Sequence, residues 1–305
     1  MANITIKQLR YFEALAKSAH FGRAADACSI SQPALSVQIK ELEKTLGTAL
    51  FERSPRQVSL TAFGEQFASR CRGILRSVDD LSDLARSADD DLVGRLRLGI
   101  IPTIAPYLLP RIITNLSRSH PDIELNIRET LTEKLISDLI EGRLDAAIVA
   151  LPISEASLHE VPLFEEDFVL VRARVDADKP VPDRASLREM RLLLLEEGHC
   201  FRDQALSFCG LRSPLPREGM DGSSLSTLVQ MVGTGIGVTL IPEMAVTVET
   251  RSADVAIARF PPPQPNRKIG IVWRKTSPLA KQLTSIGACV RDAALLLSDE
   301  RSQGQ

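Results

Sequence analysis

Two cysteines, Cys200 and Cys209, stand nine residues apart in a segment that runs from Glu196 through Gly198-His-Cys-Phe-Arg-Asp203 to Cys209. A thiol attacks an oxidant only as its thiolate, so a reactive cysteine needs its pKa brought well below ~8.5 by nearby positive charge. His199 and Arg202 flank Cys200 and can supply it. As a bare pattern, two thiols at this spacing are inert core residues more often than a redox pair. Zinc does not suit them, because Cys200, Cys209 and His199 lack the paired CxxC spacing of a closed site; neither metal nor cofactor is expected. Cys28, Cys71 and Cys289 read as small apolar packing residues, and His20, His120 and His159 as surface or cap residues. A second group of side chains points to nucleic acid. Gln32, Ser36 and Gln38 can hydrogen-bond base edges, Pro33 and Ala34 can touch thymine methyls, and Lys40, Arg53 and Arg56 can hold phosphates.

The elements that must position these residues follow from the pattern of the chain. It has 305 residues, 44% apolar and 25% charged, with net charge −2. That composition excludes a disordered chain and a disulfide scaffold, and the length suggests two or more domains. No apolar run reaches the ~18 residues that span a bilayer, and the start lacks a secretory h-region, so a cytoplasmic location is expected. Residues 1–60 carry eight Lys/Arg against five Asp/Glu, or +3, leaving −5 for the rest. A basic end on an acidic whole suits a nucleic-acid partner.

Residues 4–60 read as short helices. Leu9, Phe12, Leu15 and Ala16 share a face; a second helix begins near Gly22; a third starts after the cap-like Ser31, with Pro33 in its first turn and Leu35, Ile39 and Leu42 as its apolar stripe. Two short strands, around Leu50-Phe51 and Val58–Leu60, flank Arg53 and Arg56. From about Thr61 to Asp90 one long helix carries Phe67, Cys71, Ile74, Val78, Leu81, Ala85 and Ala88 at alternating steps of four and three. This heptad seam predicts pairing with a second copy. After Gly94 strands alternate with helices, at Arg95–Ile101, Ile123–Arg128, Asp145–Leu151, Phe168–Val171, Leu192–Leu195, Val238–Ile241 and Lys268–Trp273. The apolar runs at Asp145–Leu151, Phe168–Val171 and Leu192–Leu195 read as buried, parallel strands. An open α/β domain of two lobes around a cleft is expected, with ligands at the strand ends. The glycine loop at 233–237 precedes a strand instead of following one, which argues against a dinucleotide site.

The stretches Phe21-Gly-Arg-Ala-Ala-Asp26, Ser31-Gln-Pro-Ala-Leu-Ser36, Ile39-Lys-Glu-Leu-Glu43, Leu46-Gly47, Leu50-Phe-Glu-Arg53 and Leu60-Thr-Ala-Phe-Gly64 resemble the N-terminal domain of LysR-type transcriptional regulators. The resemblance implies a multidomain α+β chain: a winged helix-turn-helix over 1–60, a dimerising linker helix over 61–93, and a two-lobed α/β regulatory domain over 94–305, like type 2 periplasmic binding proteins. Lobe I is expected at about 94–164 and 267–300, lobe II at about 165–266. It also implies a homotetramer on double-stranded DNA, with RNA polymerase as a partner.

The segment around Cys200, with Gly99-Ile-Ile-Pro-Thr-Ile-Ala-Pro-Tyr-Leu-Leu-Pro110, resembles the family's peroxide-sensing OxyR subgroup. That resemblance implies Cys200 as the peroxidatic and Cys209 as the resolving thiol. Thr103, Thr132, His199, Arg202, Asp203 and Arg267 are implied as the surrounding peroxide pocket, and glutaredoxin or thioredoxin as the reductant. The geometry of such a pair is that of a switch. If residues 200–209 form a helix, nine steps span about 13.5 Å and turn through nine times ~100°. A disulfide needs its Cα atoms within roughly 7 Å. Helix and bridge therefore exclude each other, and oxidation must unwind the segment. Two other functions compete: a regulator whose cleft binds an organic effector, and a thiol peroxidase. The DNA-reading domain argues against an enzyme.

Overall fold

The computed structural model describes residues 4–53, 58–86, 94–210 and 221–303. The chain divides into two compact units, one ending at Ala85 and the other beginning at Arg86.

In the first unit, local signals set each helix. Helix α1 (Ile6–Ser18) opens on a reciprocal cap, in which the Thr5 hydroxyl accepts from the Gln8 amide and the Gln8 side chain accepts from the Thr5 amide. Helix α2 (Phe21–Ala27) is capped by the His20 imidazole, whose Nδ1 accepts from Gly22 and Arg23. Helix α3 (Gln32–Leu46) is capped by Ser31, has Pro33 in its first turn and ends at left-handed Gly47. Strands β1 (Phe51–Arg53) and β2 (Val58–Leu60) pair antiparallel. Helix α4 (Ala62–Arg86) follows. Phe12, Leu15, Leu35, Ile39, Leu42 and Leu50 form the core, and Phe12 packs edge-on to Phe67 at 4.9 Å. Gly64 allows α4 to lie against the turn before it, since a Cβ there would sit 2.1 Å from the Leu50 carbonyl oxygen.

The expected heptad seam divides in two. Cys71 is buried, with its sulfur 3.4 Å from the Leu9 carbonyl, and Ala68 and Leu75, which lie off the seam, are buried with it. Ile74, Leu81 and Leu84 are exposed. The first turns of α4 thus complete the core of their own unit, while Ile74 and Leu81 of the seam stay outside it. Ala88 of the expected seam and Asp90, the expected end of the helix, lie outside the described residues, as does Arg56.

The second unit is α/β. Its elements are β3 (Gly94–Ile100), α5 (Ala105–Ser119), β4 (Ile123–Glu129), α6 (Thr132–Ile140), β5 (Ala146–Leu151), β6 (Leu158–Ala173), α7 (Arg184–Glu189), β7 (Leu194–Leu195), α8 (Cys200–Cys209), β8 (Asp221–Gly222), α9 (Leu225–Gly233), β9 (Thr239–Pro242), α10 (Val246–Glu249), β10 (Val255–Arg259), β11 (Asn266–Arg274) and α11 (Ala280–Gln303). The main sheet runs β10-β6-β11-β5-β3-β4, with β9 also on β6; β7 and β8 form a separate parallel pair.

Strand β3 is parallel to β4 and β5, as a βαβ chain requires. The Phe168–Val171 run corrects the sequence expectation. It is the end of a 16-residue strand, and its partners β9 and β10 are both antiparallel. The first part of β6 pairs with β11 instead, from Leu158↔Arg274 to Asp167↔Asn266. β6 therefore passes from one lobe to the other, with β3, β4, β5 and β11 on one side and β9 and β10 on the other.

Candidate functional site

On α3 the stripe Leu35, Ile39 and Leu42 turns into the core, which leaves Gln32, Pro33, Ala34 and Lys40 exposed and Ser36 and Gln38 half-buried. Gln32, Ser36 and Lys40 follow one another at four-residue steps along the outer face. Gln38 donates to Glu41 at 2.9 Å, so its amide is partly engaged. Arg53 ends β1. Val37, half exposed on the same helix, is an apolar side chain that the sequence reading did not single out. Its signal was its place between the polar residues of an outward face.

In the second unit α8 begins at Cys200 and ends at Cys209, with His199 as N-cap residue and left-handed Gly210 after it. All five cysteines are free thiols. Cys200 is half-buried and sits where the helix's unpaired amides and dipole favour an anion. Cys209 is fully enclosed. Burial pushes its thiol pKa up, against the opposing charges of Arg188 and Arg184.

Cys200 and Asp203 line a cavity of about 580 Å³ together with Thr132, Gln204, Ile136 and residues 150–155 at and after the end of β5. Two buried polar atoms at this cavity, Thr132 Oγ1 and Gln204 Oε1, have no hydrogen-bond partner among the described residues. Such atoms are costly to bury unless a small polar ligand or water meets them. Gln204 is a further residue that sequence reasoning passed over.

The remaining expected pocket residues stand elsewhere. Thr103 and His199 line a neighbouring cleft of about 460 Å³ with Leu131, Ser224 and Glu249. Arg267 lies beneath it, fully buried. Its Nη1 donates to Thr103 Oγ1 at 2.8 Å, Nη2 to the Thr103 carbonyl at 3.1 Å, and Nε to Glu166 at 2.8 Å. The guanidinium also sits 5.3 Å over the Phe201 ring, next in sequence to Cys200. Glu166, the buried counter-charge, was not foreseen. The register that sets it opposite Arg267 joins residues 101 apart.

The charges expected beside Cys200 are differently disposed. Burial lowers the His199 pKa below its ordinary 6.5, with Glu196 opposing, so burial favours the neutral imidazole and not the positive charge expected beside Cys200. The Arg202 side chain is buried and turned to the Leu195 carbonyl at 2.6 Å and to Asp221 at 3.1 Å. It ties α8 to β7 and β8. Across the cleft, Tyr107 of α5 donates to Glu249 of α10 at 2.6 Å, and burial with this bond pushes the phenol pKa up.

Residues 6–65 match the model of the bacterial regulatory helix-turn-helix protein, lysR family, and residues 89–294 that of the LysR substrate binding domain. The chain is 41% identical over 299 residues, 95% of its length and 94% of the relative's, to a probable hydrogen peroxide-inducible genes activator of Streptomyces viridosporus. Among solved structures it resembles a full-length cysteine-to-aspartate variant of OxyR from Pseudomonas aeruginosa, with 37% identity, a TM-score of 0.76 and 95% of each chain covered. It also resembles a hydrogen-peroxide-bound cysteine-to-serine mutant of OxyR from Corynebacterium glutamicum, with 34% identity, a TM-score of 0.67, and 99% of this chain and 96% of that one covered.

Proposed function

The chain belongs to the LysR family of bacterial transcriptional regulators, in its hydrogen-peroxide-sensing OxyR branch, and from that premise we propose that Cys200 and Cys209 are its trigger. The Cys200 thiolate attacks one peroxide oxygen. The O–O bond breaks, hydroxide leaves and takes up a proton, and Cys200 becomes a sulfenic acid. The Cys209 thiolate then attacks that sulfur, an S–S bond replaces the S–O bond, and a second hydroxide leaves as water. The observation that carries this reading is the placing of the two thiols at the first and last positions of one helix. About 13.5 Å of rise separates their Cα atoms, against the roughly 7 Å a bridge tolerates.

Thr132, Gln204 and Asp203 hold the oxidant at Cys200, in the cavity whose lining residues Thr132 and Gln204 each carry a buried polar atom with no hydrogen-bond partner among the described residues. Thr103 and His199 form the adjoining wall, and Arg267 braces Thr103 from beneath. The domains are a winged helix-turn-helix over 1–60, a linker helix over 61–93 and a regulatory domain over 94–305, with lobes at about 94–164 and 267–300 and at about 165–266. The exposed seam residues Ile74 and Leu81 pair linker helices of two copies, and the assembly on DNA is a tetramer. The protein is cytoplasmic, acts with RNA polymerase and is returned to the dithiol by glutaredoxin or thioredoxin. It is a stoichiometric sensor and not an enzyme.

The test is non-reducing peptide mass mapping after a brief peroxide pulse. A Cys200–Cys209 link that changes DNA contacts is expected. Cys200→Ser should abolish the response while leaving DNA binding intact, and Cys209→Ser should stop the chemistry at the sulfenic acid. Absence of the link, with unchanged DNA contacts, overturns the reading. A second reading draws on the 460 Å³ cleft with Thr103 and Ser224 at its wall, which suits a small organic effector. Thermal stabilisation by such a metabolite, with no peroxide sensitivity, would favour it.

A further inference from the structure

We infer that Arg188 is a positioning residue of the redox switch: it clasps the C-terminal end of α8 through the Cys209 carbonyl and holds the resolving cysteine in the helical, dithiol form. The inference rests on the proposed Cys200–Cys209 trigger. Arg188 and Arg184 are one helical turn apart on α7, so they project from one face. Arg188 Nε donates to the Cys209 carbonyl oxygen at 2.6 Å. Arg184 lies 4.9 Å over the ring of Phe208. The next residue, Gly210, is left-handed, with φ +65°, and a Cβ on it would stand 2.1 Å from Arg188 Nη2. The absence of a side chain at 210 therefore makes the room that the guanidinium occupies.

A helix leaves its last carbonyls without partners and carries partial negative charge there, so a cation bonded to the terminal carbonyl stabilises the helical state specifically. The disulfide state has no helical end at Cys209. The clasp must let go before the Cys209 sulfur can travel to Cys200. Arg188 thus stabilises one side of the redox equilibrium and not the other. The same charge offsets part of the burial that keeps Cys209 protonated. That favours the thiolate only while the thiol is still out of reach.

The test equilibrates the full-length protein with glutathione and glutathione disulfide, where the dithiol gives two protons and two electrons to the glutathione disulfide, the protein bridge forms and two glutathiones are released. The bridged fraction is read by mass mapping. Arg188→Gln should shift the equilibrium toward the bridge by about fivefold, the size of one terminal cation and one hydrogen bond. It should lower the thermal midpoint of the reduced protein and leave that of the oxidised protein unchanged. Arg188→Lys, which retains charge near the carbonyl, should restore part of the shift. The rate of sulfenic acid formation at Cys200, trapped with dimedone, should not change. A bridge equilibrium unmoved in Arg188→Gln, or equal loss of midpoint in both redox forms, overturns the clasp alone. A wild-type protein that forms no Cys200–Cys209 bridge overturns the trigger and the clasp together.

Discussion

Glu166→Gln removes the counter-charge of Arg267 with little change of shape. The Arg267 side chain is 0% and the Glu166 side chain 4% exposed, and their nitrogen and oxygen are 2.7 Å apart. In wild type the guanidinium is met by Glu166 and by the hydroxyl and carbonyl of Thr103. After the change the two Thr103 oxygens and one amide oxygen remain, and the carboxylate that neutralised the charge is gone. Breaking one side of a buried pair costs roughly 3–5 kcal/mol. For a unit of this size each kcal/mol moves the midpoint by roughly 2–4 °C, so a fall of about 10 °C is expected. The assay is thermal or urea unfolding followed by tryptophan emission. The chain has one tryptophan, Trp273, buried on the same strand as Arg267, so the signal reports the second unit alone. Replacing both partners, as Glu166→Gln with Arg267→Met, should cost less than Glu166→Gln by itself, because no charge is then left buried. A loss below about 1 kcal/mol in Glu166→Gln, or a double variant that simply sums the two single losses, would refute the reasoning.

Other outcomes are expected of the titrating and DNA-facing residues. Because burial depresses the His199 pKa, the stability this group contributes is present above about pH 6.5 and lost as pH falls through its folded value; His199→Gln should flatten the thermal midpoint between pH 7 and 5.5, and an unchanged slope would contradict the burial argument. Burial pushes Cys71 up to about 12, so the folded state holds that proton more tightly than the unfolded one. Its stabilisation should be complete below about pH 9 and fade toward 12, and Cys71→Ala should remove that alkaline loss. Iodoacetamide at pH 8 should label half-buried Cys200 before enclosed Cys209 or Cys71, whereas equal rates would mean that burial does not separate the three thiols. Gln32→Ala should relax base preference by about 1–3 kcal/mol at one position, while Lys40→Ala should weaken all sequences alike and flatten the salt slope by about one; a specificity change on Lys40→Ala would take it off the phosphate list.

Where a signal is local, the chain spells it out. The cap at Ser31, Pro33 in the first turn of α3 and the apolar faces of α1 and α3 are all read within four residues of themselves, and residues 200–209 form the helix that the switch geometry supposes. Strand β6 is different. Pro162 and the run Glu165-Glu-Asp167 interrupt its alternation, because its two halves meet different partners and different solvent. Its apolar end announces burial on both faces but not strand direction, which depends on β9 and β10, some seventy and more residues away. The seam of α4 misled for a related reason: one apolar residue in a heptad can face a partner copy or its own unit, and Cys71 faces Leu9. Arg202 was read as a neighbour of the Cys200 thiol because it is two residues away, yet on a helix that spacing turns the side chain nearly opposite. The Arg267–Glu166 pair is set by sheet register alone, which no short window contains.

The two ends of α8 differ in a way that fixes the order of the proposed chemistry. Cys200 opens on a cavity with polar walls, and Cys209 is enclosed with its proton held, so an oxidant meets Cys200 first. Joining the sulfurs then requires more than the loss of a few backbone bonds. Phe201 packs edge-on to Phe168 at 4.8 Å beneath Arg267, and Phe208 packs edge-on to Phe260 at 5.1 Å beneath Arg184. Each aromatic pair is worth about 0.5–1.5 kcal/mol beyond its buried area. Both rings hang on the same ten-residue helix, so unwinding it far enough for a bridge disturbs both seats together. Close-packed interiors do not deform by degrees. Under the proposed trigger the segment therefore has two alternatives, the rings seated with the thiols apart, or the thiols joined with the rings repacked. In the proposed trigger it is this coupling of ring packing to sulfur distance that carries a change at one sulfur atom to the surface of the lobe.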